Sequence, residues 1–157
     1  MFGTKVARAL IALDWKLKEH GMKVIFKNSE KLLDMSNNKK NSFTLDQLCR
    51  ACVAAVSLTC KEKVIKVFTV SLQLLNLLIS SQKIEKSGSS EIMKNAIVER
   101  NIVLKLLQKS EEGNTRITNK IHESLLDLSF NPEIGEALAS SFLLQRIQAH
   151  NRANAQK

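Results

Sequence analysis

Proline occurs once in 157 residues, glycine five times and tyrosine not at all; aromatics make up 4% of the chain. An all-β fold needs turn residues every 8–12 positions, and this composition cannot supply them. No Gly-rich phosphate loop, dinucleotide turn or metal-spaced histidine cluster is present, which removes the commonest enzyme signatures. Three cysteines are too few for a disulfide scaffold. Cys49 and Cys52 form a C-x-x-C with no second pair to complete four ligands. With Cys60 they read as small buried apolar residues of a reducing compartment. The apolar stretch Val64 to Ile79 is interrupted by Lys66, Thr69, Gln73 and Asn76, and reads as too short to span a bilayer. The N-terminus MFGTKVARALIAL lacks the h-region and cleavage site of a secretory signal.

What is present is helical periodicity, in a chain 44% apolar and 25% charged. Leu45, Leu48, Cys49, Cys52, Val53 and Val56 share one helical face, opened by Thr44 with Gln47 as a capping box. Thr59 with Glu62 offers a second box, followed by a face through Val64, Val67, Phe68, Ser71, Leu75, Leu78 and Ile79. The same helical-hairpin unit recurs upstream. Val6 to Leu13 breaks at Asp14, an N-cap, and a second helix runs from Trp15 to Met35. Downstream, a helix from Ile92 to Gln108 breaks at SEEGN and is followed by one through Ile117, Ile121, Leu125 and Leu128. Asn131-Pro132 signals an extra helix.

The fold class expected is therefore all-α, a single domain over residues 2–150. Its hairpins span about 4–35, 44–80 and 90–130, with an extra helix at 132–150 and a polar tail at 151–157. The second helices are placed near Trp15, Lys61 and Asn114, spacings of 46 and 53, against 40–47 for HEAT or armadillo repeats. The longer interval is assigned to a polar loop at residues 82–91, and MSNNKKNS at 35–42 forms a similar insert. Tight turns within hairpins and long connections between them describe a short α-solenoid.

Net charge is +9, and residues 1–66 hold most of it, with 13 Lys/Arg against 6 Asp/Glu. A basic half implies an acidic partner or serves solubility alone. In parallel hairpins the tight loops share one edge, and each places a basic residue where its second helix starts. Helix N-termini favour acidic residues by ~0.3–1 kcal/mol, so the edge breaks a local folding rule. The only tryptophan, Trp15, stands there between lysines, either as a contact residue or folded back onto Ala9 or Leu10.

The pattern Trp15-Lys16-Leu17-Lys18-Glu19, with DQLCRACVAAVSLTCKEKVIKVFTVSLQLLNLLIS and NTRITNKIHESLLDL, resembles TOG domains. The stretch Asp46 to Ser80 is also close in pattern to the second repeat of a divergent subgroup that includes the cryptic TOG domain of a MAP kinase kinase kinase and the TOG domain of a ciliary-tip protein. The resemblance covers residues 2–140, although a usual TOG domain has about six repeats and this chain holds little more than three. It implies a HEAT-repeat domain that binds αβ-tubulin or microtubules, without a cofactor and without catalysis. It also implies a cytoplasmic, cytoskeletal location, the cilium included, and a place among other chains of a larger cytoskeletal assembly. The residues it implies for tubulin are Trp15 as anchor, Lys16 and Lys18 beside it, Lys61 and Lys63 from the second loop, and Asn114 and Arg116 from the third.

Competing readings differ in the surface they use. Nucleic-acid binding fits the charge but lacks stacking aromatics. A generic HEAT scaffold would bind a peptide or acidic protein on its concave face. His122-Glu123 and Asp127 fall near one helical face and read as surface polar groups, and no membrane association is expected.

Overall fold

A computed structural model describes residues 2–35, 43–132 and 135. Eight helices and no strand occur among the described residues, an all-α HEAT-like solenoid: α1 Gly3–Ile11, α2 Trp15–Met35, α3 Leu45–Thr59, α4 Ile65–Ile79, α5 Gln82–Lys86, α6 Ser90–Glu99, α7 Ile102–Ser110 and α8 Thr115–Phe130. The expected extra helix at 132–150, the tail and most of the 35–42 insert lie outside the described residues.

The hairpins form by local chemistry. Asp14 caps α2, its Oδ1 accepting the Lys16 N–H at 2.8 Å. The expected capping box of α3 is complete: Gln47 N–H donates to Thr44 Oγ1 at 3.2 Å, and Thr44 N–H to Gln47 Oε1 at 3.0 Å. Asn114 caps α8 through Oδ1, which accepts the Ile117 N–H at 3.3 Å. In α2 the glycine at 21 admits the neighbouring helix: a Cβ there would lie 3.1 Å from the Cβ of Ala9 in α1.

Three expectations are corrected. Thr59 and Glu62 do not cap α4, whose N-cap is Val64 without a side-chain hydrogen bond. The Thr59 hydroxyl turns into the core, donating to Ala55 O at 2.8 Å and meeting the Ser71 hydroxyl at 2.6 Å. As a result α4 starts four residues later than expected, and α2, α4 and α8 begin at Trp15, Ile65 and Thr115, an even spacing of 50. The helix expected from Ile92 to Gln108 is broken at Asn101, whose φ of 51° is left-handed and ends α6 before α7 begins. The segment 82–91 is not a loop, because α5 and the start of α6 occupy it.

The core lies between two layers. In one, α2 packs on α4 and α4 on α8; in the other, α1 and α6 flank α3. Met22, Ile25 and Leu33 of α2 meet Leu48, Cys49, Cys52, Val53 and Val56 of α3, and Ile117, Ile121 and Leu128 of α8 close the far end. Helix α4 is buried along Val67, Phe68, Val70, Leu72, Leu74, Leu75 and Leu78. By length and composition Ile65–Lys86 could cross a membrane, contrary to expectation, but those side chains form the centre of the core. Lys83 on α5 closes the end of α2, its Nζ donating to the carbonyls of Leu33 and Asp34 at 2.5 and 2.6 Å. Those carbonyls belong to the last turn, where cations are favoured. Cys49 and Cys52 are buried as expected, and burial pushes their thiols up to about 12 and about 11.

Candidate functional site: the tight-loop edge

The first residues of α2 and α4 meet. Lys18 of α2 forms an ion pair with Glu62 in the loop before α4, both largely shielded, with side chains 16% and 23% exposed. At their other ends α4 and α8 meet through Asn131 Nδ2, which donates to Ile79 O at 3.4 Å. The three second helices therefore run parallel, and the turns that precede them, 12–14, 60–64 and 111–114, lie along one edge.

Trp15 is half-buried at that edge and packs against the core cluster that includes Leu10. Two ammonium groups stand over its ring, those of Lys16 and Lys66, each 5.8 Å from the centroid. A cation within about 6 Å of an indole face is attracted by the ring quadrupole. The edge is apolar as well as basic: Leu13 in the first turn is fully exposed, and Leu17 and Ile65 at the starts of α2 and α4 are exposed too. Isolated exposed leucines are ordinary; here they share one edge with a tryptophan and exposed lysines.

The other named residues separate by environment. Lys16, Lys61, Lys63 and Arg116 are exposed to solvent. Lys18 is turned to Glu62 instead, so Glu62 neutralises a first-repeat lysine rather than its neighbours Lys61 and Lys63. Asn114 is committed to capping α8. Arg116 makes no ion pair among the described residues, because Glu112 pairs with Lys109 across the turn. Glu19 pairs with Lys23 at 2.6 Å; that hydrogen bond holds its carboxyl below the usual range, with Lys66 adding to the effect. No acidic residue stands in the first turn of α2, α4 or α8.

Lys66 escaped the sequence reading. The signal for it was the position of the α4 start, which the Thr59–Glu62 pattern misplaced. With the start at Ile65, the second residue of each second helix is basic: Lys16, Lys66 and Arg116. His122, Glu123 and Asp127 of α8 are exposed surface groups.

On the opposite layer a groove of about 630 Å³ runs between α1 and α3. Val6, Leu10 and Ile11 line one wall, and Ala51, Ala54 and Leu58 the other.

Comparison with known proteins places this architecture. A family model described as "Centrosomal protein CEP104, TOG domain" matches residues 1–138. No curated protein and no solved structure matches the chain. The match covers most of the sequence, and the chain belongs to this TOG-domain family.

Proposed function

We propose that this TOG domain binds αβ-tubulin, free or in microtubules, through its tight-loop edge and performs no chemistry of its own. TOG domains as a family bind tubulin, and the match over residues 1–138 supports that partner. The observation that carries the choice of surface is Trp15, half-buried on an edge that also exposes leucines and lysines. Tryptophan and arginine are over-represented among binding hot spots, where truncation commonly costs ~2 kcal/mol or more.

In this reading Trp15 is the anchor, and Lys16, Lys61, Lys63 and Arg116 supply the positive field. Lys18 braces the first loop against the second, and Asn114 holds the third in place. Such a field steers an acidic partner and makes affinity salt-dependent. The location that goes with this reading is cytoplasmic and cytoskeletal, at the centrosome or cilium, and the name of the matching family, a centrosomal protein, supports the centrosome.

The test is gel filtration with αβ-tubulin at low and moderate salt, comparing the native domain with a Trp15→Ala, Lys61→Glu variant. Co-elution lost in the variant is the expected result. Co-elution retained in the variant moves the site off this edge. Absence of co-elution and of microtubule pelleting for the native domain overturns the tubulin reading. The rival reading, a peptide held in a surface groove, has the apolar groove between α1 and α3 in its favour. Ala54→Trp would fill that groove, and tubulin binding should survive it.

A further inference from the structure

We infer that Lys66 is the second repeat's principal contact with an acidic partner surface and also the residue that positions Trp15 for that contact. For its partner the inference rests on the tubulin reading, which it deepens.

Three independent features of the structure converge on this side chain. The first is register. Helices α2, α4 and α8 pack side by side and start 50 residues apart, and the second residue of each is an exposed cation. Packed helices stand ~8–10 Å apart, so Lys16, Lys66 and Arg116 form a row with roughly that pitch. The surface that fits such a row is an acidic protein face offering carboxylates in a line at the same pitch. Lys61 and Lys63, although exposed, lie in the loop and outside this row.

The second feature is the ring. Trp15 belongs to the first repeat, yet one of the two ammonium groups over its indole comes from the second. The Lys18–Glu62 pair closes the same gap a turn away. The indole is thus held at the seam by two neighbouring repeats. A side chain held in place before binding gives up less rotamer freedom when a partner covers it.

The third is that helix formation alone does not call for a cation at position 66, whose favourable interactions within the domain are with the Trp15 ring and with Glu19. Lys66 stands in the first turn of α4, where the helix macrodipole favours an acid. Among the described residues it has no ion pair. Replacement by glutamate suits the start of α4 but places a second carboxylate in reach of Glu19, so a urea titration of each variant accompanies the binding comparison and separates lost binding from lost stability.

The experiment compares Lys66→Ala, Lys66→Arg and Lys66→Glu with a Lys61→Ala, Lys63→Ala variant. Each is titrated with αβ-tubulin at two salt concentrations, and its tryptophan fluorescence is quenched with acrylamide in the absence of tubulin. Trp15 is the only tryptophan and tyrosine is absent, so the emission reports this ring alone. Lys66→Ala should weaken binding by about 10-fold, the scale of a modest hot spot. Lys66→Glu should weaken it further, Lys66→Arg should stay near the native value, and the loop pair should lose less than Lys66→Ala.

Quenching should rise in Lys66→Ala and stay native in Lys66→Arg. Native binding by Lys66→Glu overturns the contact role. Unchanged quenching in Lys66→Ala overturns the positioning role. Should the native domain itself not bind tubulin, the functional proposal fails by that result alone, and the quenching comparison still decides what Lys66 does to Trp15.

Discussion

Lys18 and Glu62 are paired across the seam between the first two repeats, 44 positions apart in the chain and both largely shielded from water. Charge on the tight-loop edge is therefore of two kinds: one lysine is tied into the structure, and the exposed cations beside it are open to a partner.

Separating the pair should cost stability rather than binding charge. Lys18→Ala and Glu62→Ala should each lower unfolding stability by about 1 kcal/mol, the upper end for partly exposed pairs. Their double-mutant cycle should show positive coupling in urea titrations. Additive effects would mean that the contact contributes nothing to the fold.

Alkaline pH should weaken the domain through its cysteines. The folded state keeps Cys49 and Cys52 protonated, with burial raising them from 9.0 to about 12 and about 11. Unfolded thiols ionise near pH 9, so over that interval the unfolded chain releases protons that the folded chain retains. Stability should fall as pH rises from about 9 toward 11–12 and be unaffected by these groups below pH 8. Denaturant midpoints at pH 8, 9.5 and 10.5 should drop less steeply in a Cys49→Ala, Cys52→Ala variant.

The break between α6 and α7 depends on the left-handed backbone at Asn101. Asn101→Val should destabilise the domain by about 1–2 kcal/mol relative to Asn101→Gly, since only glycine enters that region without cost. Equal melting temperatures for the two variants would show that the backbone there relaxes.

Tubulin binding should weaken as salt rises, because the cations along the edge are exposed and screening acts on exposed charge. The slope of log affinity against log salt should shrink in Arg116→Ala and stay native when Lys18 and Glu62 are replaced together by alanine, since that removes a neutral pair. A native slope in Arg116→Ala would remove the third repeat from the interface.

The periodic faces made the all-α hairpin architecture legible, and Trp15, Lys16 and Lys18 stood out because aromatic and basic residues clustered where a helix had to start. Thr44–Gln47 and Thr59–Glu62 look alike as capping signals, and only the first is one. The difference is burial: Thr44 sits at a surface helix start, whereas Thr59 faces Ser71 in the core. That single misreading shifted the second repeat by four residues and hid Lys66. Asn101 was invisible for another reason, since one asparagine within a periodic run does not announce a left-handed turn. Pairings such as Lys18 with Glu62 depend on how repeats stack, which local pattern does not contain.

Helix α4 touches α2, α3 and α8 and is buried along almost its whole length, so no repeat is complete without it. Stacked repeats ordinarily lose order one neighbour at a time. Here the middle helix is the common partner of both ends, and backbone amides should exchange with solvent deuterium in that order: α1 and α8 early, by fraying, and α4 only when the whole domain opens. The edge that carries Trp15 and Lys66 is anchored at the start of this slowest segment.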